Sequence, residues 1–121
     1  MGLGAKGRRL GRDTGERMAL FRQLLASLIL HDRIETTEAK AKETKKIADG
    51  LIALAVRGDL QARRQVGRLL LDRRARQRLF GEIAPRYPAG RGGYVRVIKV
   101  RRRRGDSAPM ALVELIAPPS P

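Results

Sequence analysis

Four consecutive guanidiniums, Arg101-Arg102-Arg103-Arg104, are the densest chemistry in the chain. They lie between two β-leaning runs, Tyr94 to Val100 and Met110 to Ile116, with Gly105-Asp106 placed for a turn. That order makes them a hairpin tip. Like charges so close repel one another. Against a phosphate backbone each guanidinium can instead make a forked, charge-assisted contact. The tip is therefore expected to be a phosphate-binding finger, with a solvated turn as the bland alternative.

A second basic element sits at the start. Lys6, Arg8, Arg9 and Arg12 are spaced by Gly7 and Gly11 on a segment with few apolar groups. Such a segment cannot offset its ordering entropy by burial. Residues 1–13 are expected to form a flexible basic arm that orders on RNA. Arg17 opposes the dipole of a first helix turn; it either pairs with Asp13 or faces phosphate. Arg22 follows on the same helix. Lys40 and Lys42, with Lys45 and Lys46, and Arg63 and Arg64, with Arg68, supply helix-borne cations. Arg86 precedes a glycine-rich loop and Arg91 lies within it. Together these residues are expected to form a broad phosphate-facing surface, although any single one could be ordinary solvated charge.

The aromatics divide in two. Phe21 and Phe80 fall in helical apolar stripes and read as core. Tyr87 and Tyr94 flank the loop Ala89-Gly90-Arg91-Gly92-Gly93; each could stack on a base or pack inside, and both readings stand. Asparagine is absent, which removes the commonest adenine-reading side chain. The pattern suits a reader of backbone and shape.

Catalysis and metal binding find little support. With no cysteine there is no zinc-thiolate site and no thiol nucleophile. His31 is the one histidine, placed at a helix end. Glu35, Glu38, Glu43 and Asp59 read as caps and ion pairs. No catalytic residue, metal site, cofactor or small-molecule substrate is assigned. Arg104-Gly105-Asp106 spells an adhesion tripeptide, but no secretion signal accompanies it.

The chain has 121 residues, 27 Lys plus Arg against 12 acids, a net charge of +15 and a pI near 11.6. One domain of this size can bury roughly two-thirds of its unfolded surface. A charge that large repels itself in a compact state unless a polyanion neutralises it. The longest apolar stretch, Leu24 to Leu30, is far short of the ~18 residues a membrane span needs. A cytoplasmic protein without membrane association is expected.

Several elements must position these groups. Asp13 and Glu16 have capping-box spacing, and Met18, Phe21, Leu25 and Leu28 then repeat with helical period. Ile34-Glu35-Thr36 reads as a short edge strand. Thr37 is placed to cap a second helix carrying Ile47, Leu51 and Leu54. Gly58-Asp59 stops it and caps a third, from Leu60 to about Leu70. Asp72 caps a fourth, which Pro85 limits. Met110 to Ile116 is apolar on both faces and reads as a central, covered strand. The element order is α-β-α-α-α-β-β, an α+β domain in two layers with helices on one face of a small sheet. Residues 14–117 form the domain and 118–121 a Pro-rich tail.

Several stretches together resemble one family. They are Gly7-Arg8-Arg9-Leu10-Gly11-Arg12, Ala19-Leu20-Phe21-Arg22 and the run from Ile34 to Glu43. Arg57-Gly58-Asp59-Leu60 to Arg64, Leu79-Phe80-Gly81-Glu82-Ile83 to Tyr87, Gly92-Gly93-Tyr94 and Arg103-Arg104-Gly105-Asp106 to Ala111 complete the set. In order and spacing the chain resembles the family of bacterial large-subunit ribosomal protein number seventeen. The resemblance implies a structural constituent of the large subunit that binds its rRNA. It also implies a three-stranded mixed sheet with the last strand central, a place near the exit side of the subunit, and contact with protein number thirty-two. A DNA-architectural or other non-ribosomal nucleic-acid binder is the alternative.

Overall fold

Apolar residues at helical spacing give the chain its first packed surface. The computed structural model describes residues 2–90 and 93–116, with the side chains of residues 2–14, 16 and 17 left aside. Helix α1 (Gly2–His31) buries Phe21, Leu25, Leu28 and Ile29. Its backbone passes through Asp13, where the first cap was expected. It ends at Asp32, whose φ of 68° is left-handed and whose amide donates to the Leu28 carbonyl at 2.8 Å. An Asp here does what glycine usually does after a helix, because its short polar side chain tolerates that region.

Strand β1 (Arg33–Thr37) leads directly into α2 (Glu38–Arg57). Thr37 occupies the cap position without a side-chain cap bond, contrary to expectation. It is also the last residue of β1, in register with Met110, and the strand sets its backbone. Glu38 does stand in the first helical turn as expected. Helix α2 turns Ala41, Thr44, Ala48, Leu51, Ile52 and Ala55 inward. Its small residues let it lie close to the sheet, and it also touches α1. The buried Thr44 hydroxyl donates to the Lys40 carbonyl at 2.7 Å, so no polar group is stranded there.

Two expected aspartate caps are present. Asp59 accepts from the Ala62 amide at 2.7 Å and opens α3 (Leu60–Leu69); Asp72 accepts from the Ala75 amide at 3.1 Å and opens α4 (Arg73–Arg78). Gly58 precedes the first with φ 69°, the left-handed conformation that ends α2. After α4 the chain widens into a π-helical turn (Leu79–Ile83) and tightens into a 3₁₀ turn (Ala84–Arg86). Pro85 has no amide hydrogen, so the regular ladder cannot continue past it.

Strands β2 (Val95–Arg102) and β3 (Pro109–Leu115) form the hairpin, and the sheet order is β1-β3-β2. The last strand is central, as expected. The sheet is not mixed in its pairing: β3 is antiparallel to both neighbours. The physical reason is insertion. β1 and β2 run the same way, but the hairpin folds β3 between them, so no parallel pair ever meets. The helical layer covers one face only. Ala111, Val113 and Leu115 are buried beneath it, while Met110, Leu112 and Glu114 on the other face are half-buried.

Candidate nucleic-acid interface

The cations separate by whether an acid of the same chain already holds them. On α2, Lys42 lies 3.4 Å from Glu38, one turn back, and Lys45 lies 2.7 Å from Asp49. Lys40 and Lys46 are exposed and make no ion pair among the described residues. On α3, Arg64 and Arg68 are likewise exposed and unpaired. Arg63 is engaged twice: its Nε donates to the Gly58 carbonyl at 3.1 Å, and its guanidinium lies 4.8 Å from the Phe80 ring centre. Phe80 is thus half-buried under an arginine, shallower than the core position expected of it.

Arg22, on α1, is half-buried, and its Nε is buried without a hydrogen-bond partner. Lys6, Arg8, Arg9, Arg12 and Arg17 have side chains outside the described residues, and Arg91 lies outside them altogether. Arg73 and Arg74, which the sequence reading passed over, are exposed and unpaired at the start of α4. The run Arg73-Arg74-Ala75-Arg76 was the signal. Only the helix decides that Arg76 turns back, donating to the Leu70 and Leu71 carbonyls at 2.9 and 2.7 Å.

Arg86 belongs to the scaffold. With Arg78 it converges on Asp32, at 3.4 and 2.8 Å. Arg78 also donates to the Ile29 carbonyl and to Glu82. The Asp32 carbonyl accepts from the Leu115 amide at 2.9 Å, so one residue ties α1, α4, the 3₁₀ turn and β3 together. Burial raises the Asp32 pKa, but the Arg78 hydrogen bond and the charges of Arg86 and Arg78 outweigh it and hold the carboxyl below 3.8.

Asp32→Ala should lower stability by about 2 kcal/mol, about half from the left-handed backbone and half from a partly solvated pair. Asp32→Asn, which tolerates the backbone, should lose about 1 kcal/mol. The folded pKa is depressed, so the carboxylate's contribution is full above pH 3.8 and fades as pH falls below it. Urea unfolding of both variants near pH 6 and pH 3 checks this; a gap between wild type and Asp32→Asn that persists at the lower pH would exclude the ion pair as its cause.

The two tyrosines take the packing role. Tyr87 and Tyr94 are 5% and 3% exposed and meet edge to face with centroids 5.0 Å apart. The Tyr87 hydroxyl donates to the Ile116 carbonyl at 2.6 Å. Neither ring presents a face for stacking, because both are buried in the core cluster.

Three of the four acids behave as caps and ion pairs, Asp59 capping α3; Glu43 is exposed on α2 and does neither among the described residues. Glu35 holds Arg101, Glu38 holds Lys42 and Lys99, and Glu114 holds Arg96. Among the described residues no group of three His, Asp or Glu could hold a metal ion, and no helix is long and apolar enough to cross a membrane. At the hairpin tip, Arg101 reaches Glu35, Arg102 reaches the Ser107 carbonyl, Arg103 forks onto Asp106, and Arg104 makes no bond.

These features define a class: a strongly basic two-layer α+β domain whose unpaired cations stand on helix surfaces and one hairpin tip. The chain belongs to the ribosomal protein L17 family, whose family model, described as Ribosomal protein L17, matches residues 20–116. It is similar to the large ribosomal subunit protein bL17 of Clostridium botulinum, 51% identical over 109 residues, 90% of this chain and 96% of that one. It is 49% identical over 113 residues to the bL17 of Syntrophobacter fumaroxidans, 93% of this chain and 75% of the relative. With the bL17 of Geobacter metallireducens it shares 49% over 110 residues, 91% of this chain and only 62% of that longer relative. Membership of a ribosomal-protein family makes the chain a structural protein and not an enzyme.

Proposed function

We propose that the chain is a structural constituent of the large ribosomal subunit that binds large-subunit rRNA. The contacts are to phosphate and shape, made by the basic arm of residues 1–13, the hairpin tip and the outer faces of α2, α3 and α4. One observation carries the reading: Lys40, Lys46, Arg64, Arg68, Arg73 and Arg74 are exposed with no acid among the described residues to neutralise them, in a chain of net charge +15. Surface cations left unpaired in this number favour a polyanion. The names of the relatives point to the large subunit. In this reading the domain is residues 14–117, residues 118–121 are a tail, and the protein works in the cytoplasm, where bacterial ribosomes are. Neighbouring large-subunit proteins, protein number thirty-two among them, are proposed as further partners. The uncovered outer face of the sheet, with Ile98 39% exposed, is available to a protein neighbour.

Sedimentation of a cell lysate at low and high salt tests this. The chain should travel with the large subunit in both. A position at the top of the gradient, or loss at modest salt, would replace the reading with a free nucleic-acid binder, and tight binding to duplex DNA would then make it architectural.

A further inference from the structure

The four arginines of the tip are not equivalent. Arg101 holds both oxygens of Glu35 on β1, at 3.0 and 2.8 Å. Arg102 donates to the Ser107 carbonyl at 2.9 Å, across the turn. Arg103 forks onto Asp106 through Nε at 3.2 Å and Nη2 at 2.7 Å. Asp106 Oδ1 also accepts from the Ala108 amide at 3.1 Å. Backbone bonds Arg103 N to Ala108 O, 2.8 Å, and Ser107 N to Arg103 O, 2.9 Å, complete the closure. Gly105 and Ser107 have φ of 95° and 56°. Arg104 alone is exposed and unbonded.

We propose that Asp106 is a positioning residue for RNA binding: it closes the turn through Arg103 and the Ala108 amide, so that Arg104 is presented to phosphate at the apex. This rests on the rRNA-binding reading above. The tip is then a braced finger with one reaching guanidinium, not four free ones. The cost of ordering the loop is met in the free protein, which is the usual source of affinity in a preorganised contact. The same interactions hold the Asp106 carboxyl down to about 2, so the brace is intact at any pH at which the protein works.

The proposal reverses the sign that simple charge predicts. A carboxylate beside a phosphate repels it within the Debye length, so on charge alone Asp106→Asn should tighten binding. Positioning requires that it weaken. The probe is an in vitro transcript of large-subunit rRNA titrated with the full chain in a filter-binding assay. Arg104→Ala should weaken binding about tenfold, the worth of one charge-assisted contact, and lower the log–log salt slope by nearly one. Asp106→Asn should weaken it about fivefold, and Arg104→Ala in that background should add little, which is coupling between two residues that do not touch. Gly105→Ala should act like Asp106→Asn without any charge change. A Cβ there meets nothing within 4 Å, so its effect comes only through the φ of 95°. Binding that is equal or tighter in Asp106→Asn, or independent effects of the two substitutions, would overturn the proposal while leaving rRNA binding intact. No binding by the unaltered chain would instead remove the functional reading itself.

Discussion

Raising monovalent salt from about 50 to about 200 mM should weaken binding of the chain to large-subunit rRNA by nearly four orders of magnitude. If about eight phosphates are neutralised, the log–log slope is about −6 to −7, because each neutralised phosphate releases condensed counterions. The seven unpaired cations described, six on α2, α3 and α4 and Arg104 at the tip, come close to that number, and the basic residues of the arm supply the rest. Cations already held by an acid contribute less, since leaving Glu35 for phosphate exchanges one pair for another. Arg101→Ala is therefore expected to change the slope less than Arg104→Ala does. The whole effect should be nearly sequence-independent, since phosphate contacts fix orientation and register but carry no base information. A slope shallower than about −3 would mean that only a few of these cations meet phosphate. The surface would then have to be assigned to protein neighbours.

Asp49→Ala should cost about 2 to 3 kcal/mol of stability, the loss expected when buried amides lose their acceptor. Asp49 lies on α2 and is absent from every local motif. Its Oδ1 accepts from the Tyr94 amide at 2.8 Å and the Val95 amide at 3.0 Å, and its Oδ2 accepts from Lys45 at 2.7 Å. Val95 is 1% exposed and opens β2 on an outer edge of the sheet. The start of β2 takes its acceptor from the helix layer and not from a strand. The carboxylate thus docks the hairpin onto α2. Asp49→Asn keeps a carbonyl oxygen and should lose only about 1 kcal/mol. Urea unfolding, with hydrogen exchange of the Val95 amide, separates the two variants. An Asp49→Ala protein within about 0.5 kcal/mol of wild type, the usual range of a neutral surface change, would show that water replaces the carboxylate and that the hairpin is held by its apolar face alone.

The order of elements and the aspartate caps of α3 and α4 were legible along the chain because the caps are set by interactions within a few residues. Asp59 and Asp72 bond amides three positions on, and Gly58 ends a helix by its own φ; the last strand is central as its apolarity suggested, but helices cover only one of its faces. Thr37 has the extended backbone of a cap, φ −65° and ψ 152°, as Asp59 does, yet its side chain makes no cap bond, and local spacing did not distinguish the two. The tyrosines were undecided in the sequence, since an aromatic beside a glycine-rich loop suits a stacking platform and a core equally. Their burial depends on which segments close over them.

Composition and spacing alone establish that the chain is basic, that its cations are spread over helices and a hairpin tip, and that it folds as helices against a small sheet. Which cations are left for a partner was decided only by the tertiary structure. Arg78 and Arg86 meet Asp32 from positions far along the chain, and Arg101 meets Glu35 across the sheet. Periodicity reports which side chains share a face of one element. It carries no information on which acid stands opposite them, because charge pairing depends on distances that exist only once the layers have packed.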